Sequence, residues 1–340
     1  FKKINGIEYQ CNSDIPTSFY KIITGVNCIH DEVLLVHSEK NSDHLDEFER
    51  NGCRGVYWWS HATIAHDWYR YAEHDPTLNF DPSKIVNDFL IYNRAWSGTR
   101  EYRLKFAELI VESDLLRNCQ MEFNAVDNDI HFSKHSYKNP EFAVTKNLES
   151  YFTVNQALPS ASADYDADDY NRSGIEIVLE TLFDDSRLHL TEKTLRPIAC
   201  GKPFILTATP GSLEYIRSYG FKTFAPWIDE SYDHIQDPVK RLEAIIEQMR
   251  FITLLSADKK AQLWENLYSI AEFNKARFFS KQFFNQVVGE FQTNFRKALE
   301  QTQQHRSGWF YHQWKQSMLS RGTMPLNETE LASIEKFLLN

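Results

Sequence analysis

The chain has 340 residues, of which 42% are hydrophobic and 14% aromatic, so we expect about two domains with proper cores and little disorder. Its formal net charge of −10 argues against a protein that binds nucleic acid through a generally basic surface. This charge does not exclude a local basic groove.

No stretch reaches the roughly 20 apolar residues that a membrane span needs, and residues 1–6 lack the pattern of a signal peptide. The five cysteines are odd in number and show no C-x-x-C spacing. We therefore interpret them as reduced thiols, not as a disulfide framework or a zinc site. Together these features predict a cytoplasmic protein without a membrane span.

The first part of the chain has the pattern of a small α/β domain. Residues 32–36 and 55–59 are short apolar runs typical of strands, and a helix is predicted from about Thr63 to Glu73. The turn-rich residues 74–83 are the expected hinge, so we place the first domain at residues 1–82.

A larger α/β domain is predicted over residues 83–290, followed by a helical C-terminal extension over 291–340. Its strands are expected at residues 85–91, 175–179 and 204–206, with a helix after the second that begins at Thr191 and ends at Gly201. Strands and helices in this order imply parallel strands with right-handed crossovers, in which ligands bind outside the carboxyl ends.

Further elements are weaker or more peripheral. Residues 121–123 and 222–226 are read as short strands, the latter at a sheet edge. A long helix is predicted over residues 100–116, and amphipathic helices are predicted over 238–255, 259–272 and 274–299.

The start of the helix after the second strand is rich in charge. Lys193 and Arg196 stand where free backbone N–H groups and the helix dipole already attract anions, which suits a diphosphate. Glu180 and Glu192 could accept hydrogen bonds from a ribose. The alternative interpretation is a solvated first turn with ordinary charges.

A second group of cations follows the strand at residues 85–91. Arg94, Arg100 and Arg103 lie within ten residues at the entry of a helix. They could form a phosphate clamp facing Lys193, or a helix face held by salt bridges to neighbouring glutamates.

These two segments resemble a known family. A strand ending in Glu180, the sequence Thr191-Glu192-Lys193 opening a helix, and Gly201-x-Pro203 before an apolar strand resemble the donor-binding domain of the alpha-1,3-fucosyltransferase family and other glycosyltransferases of GT-B fold. Residues 92–94 and 97–103 look like that family's S-N-x(n)-R-x-x-Y element, in which an arginine meets the donor phosphates. The two elements cover roughly residues 86–225.

The resemblance implies two Rossmann-like domains facing across a cleft, and inverting transfer of a sugar from a nucleotide-diphosphate sugar to an acceptor hydroxyl, without an essential metal. The residues expected to bind the donor are Asn93, Arg94, Arg100, Glu180, Thr191, Glu192, Lys193 and Arg196. A general base must take the proton of the acceptor hydroxyl. The candidates lie near the first domain's strand ends and helix: Asp67, Glu39 and His61.

The acceptor is left open, because the first domain shows none of the acceptor motifs of the fucosyltransferases. Segments such as residues 92–96 and 190–193 resemble virus- or phage-encoded glycosyltransferase-like proteins. Such enzymes modify either saccharides or DNA bases such as hydroxymethylated cytosine. The formal net charge of −10 is a weak argument against DNA as the acceptor.

Two other functions stay open. The acidic loop at residues 164–169 has the D-x-D spacing of metal-dependent transferases, in which Asp166 and Asp168 would hold Mg²⁺ or Mn²⁺. It lacks the preceding hydrophobic strand, so a solvated loop is the favoured interpretation. The other alternative is a nucleotide-binding protein that has no catalytic base. The sequence contains neither a P-loop nor a G-x-G-x-x-G pattern.

Overall fold

The computed structural model of the chain describes residues 2–4, 7–9, 34–42, 54–152 and 163–303, together with Ser320 and Thr329. The strands in these ranges are β1 Lys2–Ile4, β2 Ile7–Tyr9, β3 Leu34–His37, β4 Arg54–Tyr57, β5 Asn87–Ile91, β6 Cys119–Met121, β7 Val126–Asp127, β8 Ile130–His131, β9 Ser173–Leu179 and β10 Phe204–Thr207. The protein is therefore a mixed α/β chain.

The α-helices in the same ranges are α1 Ser60–Trp68, α2 Tyr102–Glu112, α3 Ala167–Arg172, α4 Glu192–Ala199, α5 Ser212–Ser218, α6 Pro238–Thr253, α7 Ala257–Phe278 and α8 Lys281–Gln303. Short 3-10 helices lie at Arg70–Glu73, Pro82–Lys84, Gly98–Arg100, Leu116–Asn118, Phe132–Lys134, Pro140–Phe142, Leu148–Ser150 and Ser231–His234. Among the helices described, none combines the length and apolar character needed to cross a bilayer.

The chain forms two compact units, one of Phe1–Trp59 with Gln286–Asn340 and one of Ser60–Asn285. These divisions differ from the predicted boundaries after residues 82 and 290. Helix α1, which the sequence pattern placed in the first domain, belongs to the second unit because its buried Ala62 and Ala65 lie on the side that packs against α4.

In the unit formed by the two ends of the chain, β3 and β4 pair in parallel, with Val36 opposite Val56. Both strands were predicted, and their bounds shift by one or two residues. The side chain of Asn294 on α8 donates a 2.9 Å hydrogen bond to the Tyr57 carbonyl, and Trp58 packs on Phe291 at a ring distance of 4.9 Å. Helix α8 therefore holds the end of β4.

The unit Ser60–Asn285 is built on a four-stranded parallel sheet in the order β10-β9-β5-β6. The chain passes from β5 through α2 to β6, then returns to the other side of β5 to form β9, and α4 leads on to β10. The side on which successive strands join the sheet thus changes between β5 and β9. In doubly wound sheets such a switch point is where a ligand crevice opens, outside the carboxyl ends of the strands.

Strand β9 lies in the centre of this core, and every residue of it is buried. β-Branched side chains such as Ile175 and Ile177 suit a strand covered on both faces. Gly174 lets α7 approach closely, since a Cβ there would lie only 2.7 Å from the Trp264 ring. The strand is thus fixed on all sides, which makes it a rigid support for the loop that follows it.

Two buried carboxylates, Glu101 directly before α2 and Glu108 within it, hold the long connection after β6. Glu101 accepts hydrogen bonds from the backbone N–H groups of Lys138 and Asn139, at 3.0 and 2.7 Å. Glu108 accepts from the N–H groups of Thr145 and Lys146, at 2.6 and 3.0 Å. The connection is therefore ordered by side chains of one helix, without a strand of its own in this stretch.

Two predicted elements differ in the structure. Residues 222–226 do not form an edge strand, because the Asn274 amide on α7 bonds both the N–H and the carbonyl of Lys222 at 2.8 Å. Glu230 takes the N–H of Phe224 at 2.5 Å. Side chains thus occupy the backbone groups that a sheet ladder would need. Residues 167–169 of the predicted acidic loop instead form the start of helix α3, with Asp166 as its N-cap.

Asp233 supplies a pH-dependent contribution to stability. It is 3% exposed, and its Oδ2 accepts a 3.1 Å hydrogen bond from Leu213 N–H in the first turn of α5. Burial outweighs this bond and raises the pKa of Asp233 to about 6. Because the folded-state pKa lies above that of the unfolded chain, protonation favours the folded state, and this contribution is lost as the pH rises through about 6.

We therefore expect the stability of the wild type relative to Asp233→Asn to increase by up to about 3 kcal/mol as the pH falls from about 7 to about 4. Urea unfolding of both proteins at several pH values measures this difference. The exposed Asp258 on α7 provides the control, as Asp258→Asn should show no such trend. A pH-independent difference between wild type and Asp233→Asn would contradict the assignment.

Candidate functional site

A cavity of about 340 Å³ lies at the carboxyl ends of β5 and β6, within the unit Ser60–Asn285. Residues 92–95, which follow β5, and 122–124, which follow β6, form part of its lining. The lining is completed by Arg100 and Arg103 near the start of α2, Lys193 and Arg196 on α4, residues 164–166 and Asp169. The cavity therefore sits beside the switch point of the sheet, where the strand order predicts a binding crevice.

The structure brings five of the predicted donor-binding residues to this one cavity: Asn93, Arg94, Arg100, Lys193 and Arg196. They come from two segments about a hundred residues apart in sequence, and the parallel pairing of β5 with β9 places the segments side by side. Four of the five carry positive charge, so the cavity offers cations at the strand ends.

Arg196 is already paired with the protein's own carboxylate. Its Nη2 lies 2.8 Å from Glu176 Oε1, its Nε donates to the Tyr170 hydroxyl at 3.1 Å, and its guanidinium lies 4.3 Å from the centre of the Tyr92 ring. Burial is the largest single effect and opposes ionisation, but Glu176, Tyr170 and Tyr69 together outweigh it and hold the pKa of Arg196 well above its usual range. Arg196 is thus a fixed cation in the cavity floor whose charge is largely compensated.

Glu180 and Thr191 cap helix α4 from inside the protein. Glu180 is 0% exposed, and its Oε1 accepts from the N–H groups of Thr191 and Thr194 at 2.8 and 3.3 Å and from Thr194 Oγ1 at 2.6 Å. Its Oε2 accepts from Thr191 Oγ1 at 2.8 Å. The sequence predicts that Glu180 faces a ribose. In the structure its carboxylate instead lies at the start of α4, in the position that a bound anion would take at a helix N-terminus.

Glu192 lies between Lys193 and His61. Its Oε1 is 2.6 Å from Lys193 Nζ, and its Oε2 is 3.4 Å from His61 Nδ1, an ion-pair distance without hydrogen-bond geometry. Burial raises the pKa of Glu192, but the contacts with His61 and Lys193 outweigh burial and leave it well below its usual range. Glu192 is therefore an anion that positions Lys193, which itself lines the cavity.

The two arginines of the α2 segment have different environments. Arg103 is buried and donates to the carbonyls of Ala95, Leu179 and Glu180 at 2.6, 2.6 and 3.0 Å, so it ties the ends of β5 and β9 together. Arg100 is half-buried and donates from Nε to the Ser97 carbonyl at 3.1 Å. Burial, with the nearby charge of Arg103, lowers the pKa of Arg100. Arg100 is the better placed of the two to meet a ligand.

Asn93 is the clearest sign that the cavity takes a ligand. It is 3% exposed and lines the cavity, yet neither its Oδ1 nor its Nδ2 has a hydrogen-bond partner in the described part of the chain. A buried amide left without partners costs about 1–3 kcal/mol. This cost is offset if a ligand supplies both an acceptor and a donor.

Carboxylates also line the cavity, and of these the sequence pattern indicated only Asp166, as a possible metal ligand. Asp169 accepts a 2.8 Å hydrogen bond from the Tyr92 hydroxyl and another from Gln120. Asp164, Asp166 and Glu122 also line the cavity. The D-x-D spacing of the acidic loop was the one available signal, and it pointed to Asp166 and Asp168. Over the described ranges, no group of three or more His, Cys, Asp or Glu side chains could hold a metal ion.

The three candidate bases lie in different surroundings. Asp67 is on the exposed side of α1, with its side chain 74% exposed and paired with Arg70 at 3.1 Å. His61, at the start of α1, packs edge-on against His189 at a ring distance of 4.9 Å. Glu39 follows β3 in the other unit, where its carbonyl accepts a 2.9 Å hydrogen bond from His37 Nδ1. Within the unit Ser60–Asn285, neither Asp67 nor His61 lines the cavity.

The cavity thus combines cations that follow two strands, a group of carboxylates and a buried amide that has no hydrogen-bond partner among the described residues. Such a site can hold an anionic group and, beside it, a group that donates hydrogen bonds. Comparison of the chain with protein-family models, curated proteins and solved structures finds no match.

Proposed function

We propose that the chain is a glycosyltransferase of GT-B-like architecture that moves a sugar from a nucleotide-diphosphate sugar to an acceptor hydroxyl, with inversion and without an essential metal. The observation that carries the proposal is the cavity beside the switch point, which Arg100 and Lys193 line together with Asn93, whose buried amide has no hydrogen-bond partner among the described residues. Resemblance of the same segments to the donor domain of the fucosyltransferases supports it.

In this reaction the anomeric carbon is attacked by the acceptor hydroxyl while the bond to the diphosphate oxygen breaks. Negative charge grows on the departing diphosphate, and fixed cations stabilise that charge in the transition state. Lys193 and Arg100 would supply these cations. Arg196, whose charge is largely compensated by Glu176, would add a third cation in the cavity floor. The proton of the acceptor hydroxyl goes to a general base, for which Glu39, His61 and Asp67 are candidates.

A thermal-shift screen against UDP-, GDP-, ADP- and CDP-sugars, with and without EDTA, tests the proposal. We expect at least one of them to raise the melting temperature by about 5 °C at a hundred times its Kd, since such a ligand adds about 2.7 kcal/mol. The shift should persist in EDTA. Free sugar serves as the control, and the absence of a shift with all four nucleotides would contradict donor binding.

The acceptor is a saccharide or a hydroxymethylated DNA base, and release of the nucleoside diphosphate with each acceptor distinguishes them. A non-catalytic nucleotide-binding protein is the second candidate, because the two candidate bases in this unit, Asp67 and His61, do not line the cavity. Donor binding without release of nucleotide in the presence of any acceptor would favour that second candidate. A cytoplasmic location stays a prediction.

A further inference from the structure

Three carboxylates in the cavity lining form no ion pair with another described residue. Glu122 follows β6, and Asp164 and Asp166 precede α3. In the part of the chain that the structure describes, none of the three forms a salt bridge. Asp166 engages only its Oδ1, which accepts from the N–H groups of Asp168 and Asp169 at 2.8 and 3.3 Å.

The cations of the same cavity are, by contrast, partly compensated. Glu176 lies 2.8 Å from Arg196 and Glu192 lies 2.6 Å from Lys193, so two of the positive charges already have a negative partner. A diphosphate facing the cations would leave the three carboxylates uncompensated. We therefore expect the same ligand to carry a positively charged group, or a group with several hydrogen-bond donors, that contacts these three carboxylates.

Other observations point the same way. Burial raises the pKa of Asp169 in the same lining, and the negative charges of Asp166 and Glu122 raise it further. The buried amide of Asn93, with both polar atoms unpartnered among the described residues, independently marks this cavity as a ligand site. A ligand is thus required that carries hydrogen-bond donors as well as the anionic group.

A divalent metal ion fits this side less well than an amine does. Such an ion takes about six oxygen ligands in a fixed geometry, whereas the described carboxylates include no cluster of three at metal-binding distance. A primary ammonium has three donors and accepts looser geometry. The carboxylates therefore suit an ammonium group.

We propose that the sugar of the donor carries a primary amine, which Glu122, Asp164 and Asp166 bind as an ammonium while Arg100 and Lys193 bind the diphosphate. This inference rests on the proposed function, because it assigns the diphosphate to the cationic side. It narrows the substrate class to aminosugar nucleotides.

Isothermal titration calorimetry in EDTA tests this with UDP-glucose, UDP-glucosamine and UDP-N-acetylglucosamine, or with the same sugars on whichever nucleotide stabilises the chain most. The three differ only in a hydroxyl, an amine or an uncharged acetamide. We expect the amine to bind about tenfold more tightly than the other two, as several partly exposed ion pairs each contribute up to about fivefold.

Glu122→Gln and Asp166→Asn should each reduce the ratio of the amine affinity to the UDP-glucose affinity by about threefold. Asparagine is as good an N-cap as aspartate, so α3 is retained. The control Asp258→Asn removes an exposed carboxylate from α7 and should change neither affinity.

Equal affinities for the three sugars would overturn the inference and leave the proposed function standing. Binding that needs Mg²⁺ or Mn²⁺ and shows no preference for the amine would also overturn it, in favour of a metal at the carboxylates. If no nucleotide sugar binds, the proposed function itself fails, and the inference fails with it.

Discussion

Replacing Glu180 with Ala is expected to lower the free energy of unfolding by about 3 kcal/mol or more, since several buried donors would lose their acceptor at about 1–3 kcal/mol each. The donors are the N–H groups of Thr191 and Thr194 and their two hydroxyls, which all bond the Glu180 carboxylate. The first turn of α4 would then start without its cap, and Lys193 would lose its fixed position.

Urea or thermal unfolding of the variant measures this loss. Glu214→Ala provides the matched control, because Glu214 lies in the first turn of α5 and is exposed, so its removal should cost about 0.5 kcal/mol or less. If Glu180→Ala were as stable as Glu214→Ala, the carboxylate would not be the cap that the geometry indicates.

Replacing Lys193 with Ala is expected to reduce turnover by about tenfold to a hundredfold, the equivalent of one charge-assisted hydrogen bond worth about 1.5–3 kcal/mol. Lys193 lines the cavity at the start of α4, where Glu192 and Thr191 hold its ammonium at 2.6 and 3.2 Å. Its charge would act on the departing diphosphate, so kcat should fall more than KM rises.

Steady-state kinetics with the donor found by the thermal-shift screen measures this effect. Lys259→Ala removes the same charge from the exposed surface of α7 and should leave the rate unchanged. A Lys193→Ala protein with wild-type stability and wild-type turnover would refute the role of Lys193, and it would leave Arg100 as the main cation of the site.

The sequence predicted the elements that depend on local pattern. The apolar runs of β5, β9 and β10, and the start of α4 at the N-cap Thr191, are confirmed because burial on both faces and helix capping leave a direct mark on the residues concerned. The convergence of Lys193 with residues 92–94 also followed from pattern, since parallel strands bring their carboxyl ends to one edge.

What the sequence did not predict are contacts made by side chains across the fold. A glutamate at position 180 is compatible with either a contact to a ribose or a helix cap. Only its position at the start of α4 in the folded chain distinguishes the two roles. The same holds for Asn274, which replaces a sheet ladder at Lys222. Of the acidic residues before β9 that line the cavity, Asp169 lies on α3, and Asp164 and Asp166 precede it. The polar sequence of this short helix has no apolar stripe that would predict it.

The position of the buried Glu101, directly before α2, has a consequence for how substrate preference could evolve. Arg100 stands next to Glu101, which pins the chain at Lys138 and Asn139. The 3-10 helix Gly98–Arg100 and the residue after it therefore fix both the cation that is proposed to face the phosphates and the long connection between β6 and β9. Substitutions in the exposed parts of that connection could change which sugar the protein accepts, while the proposed binding of the nucleotide is retained.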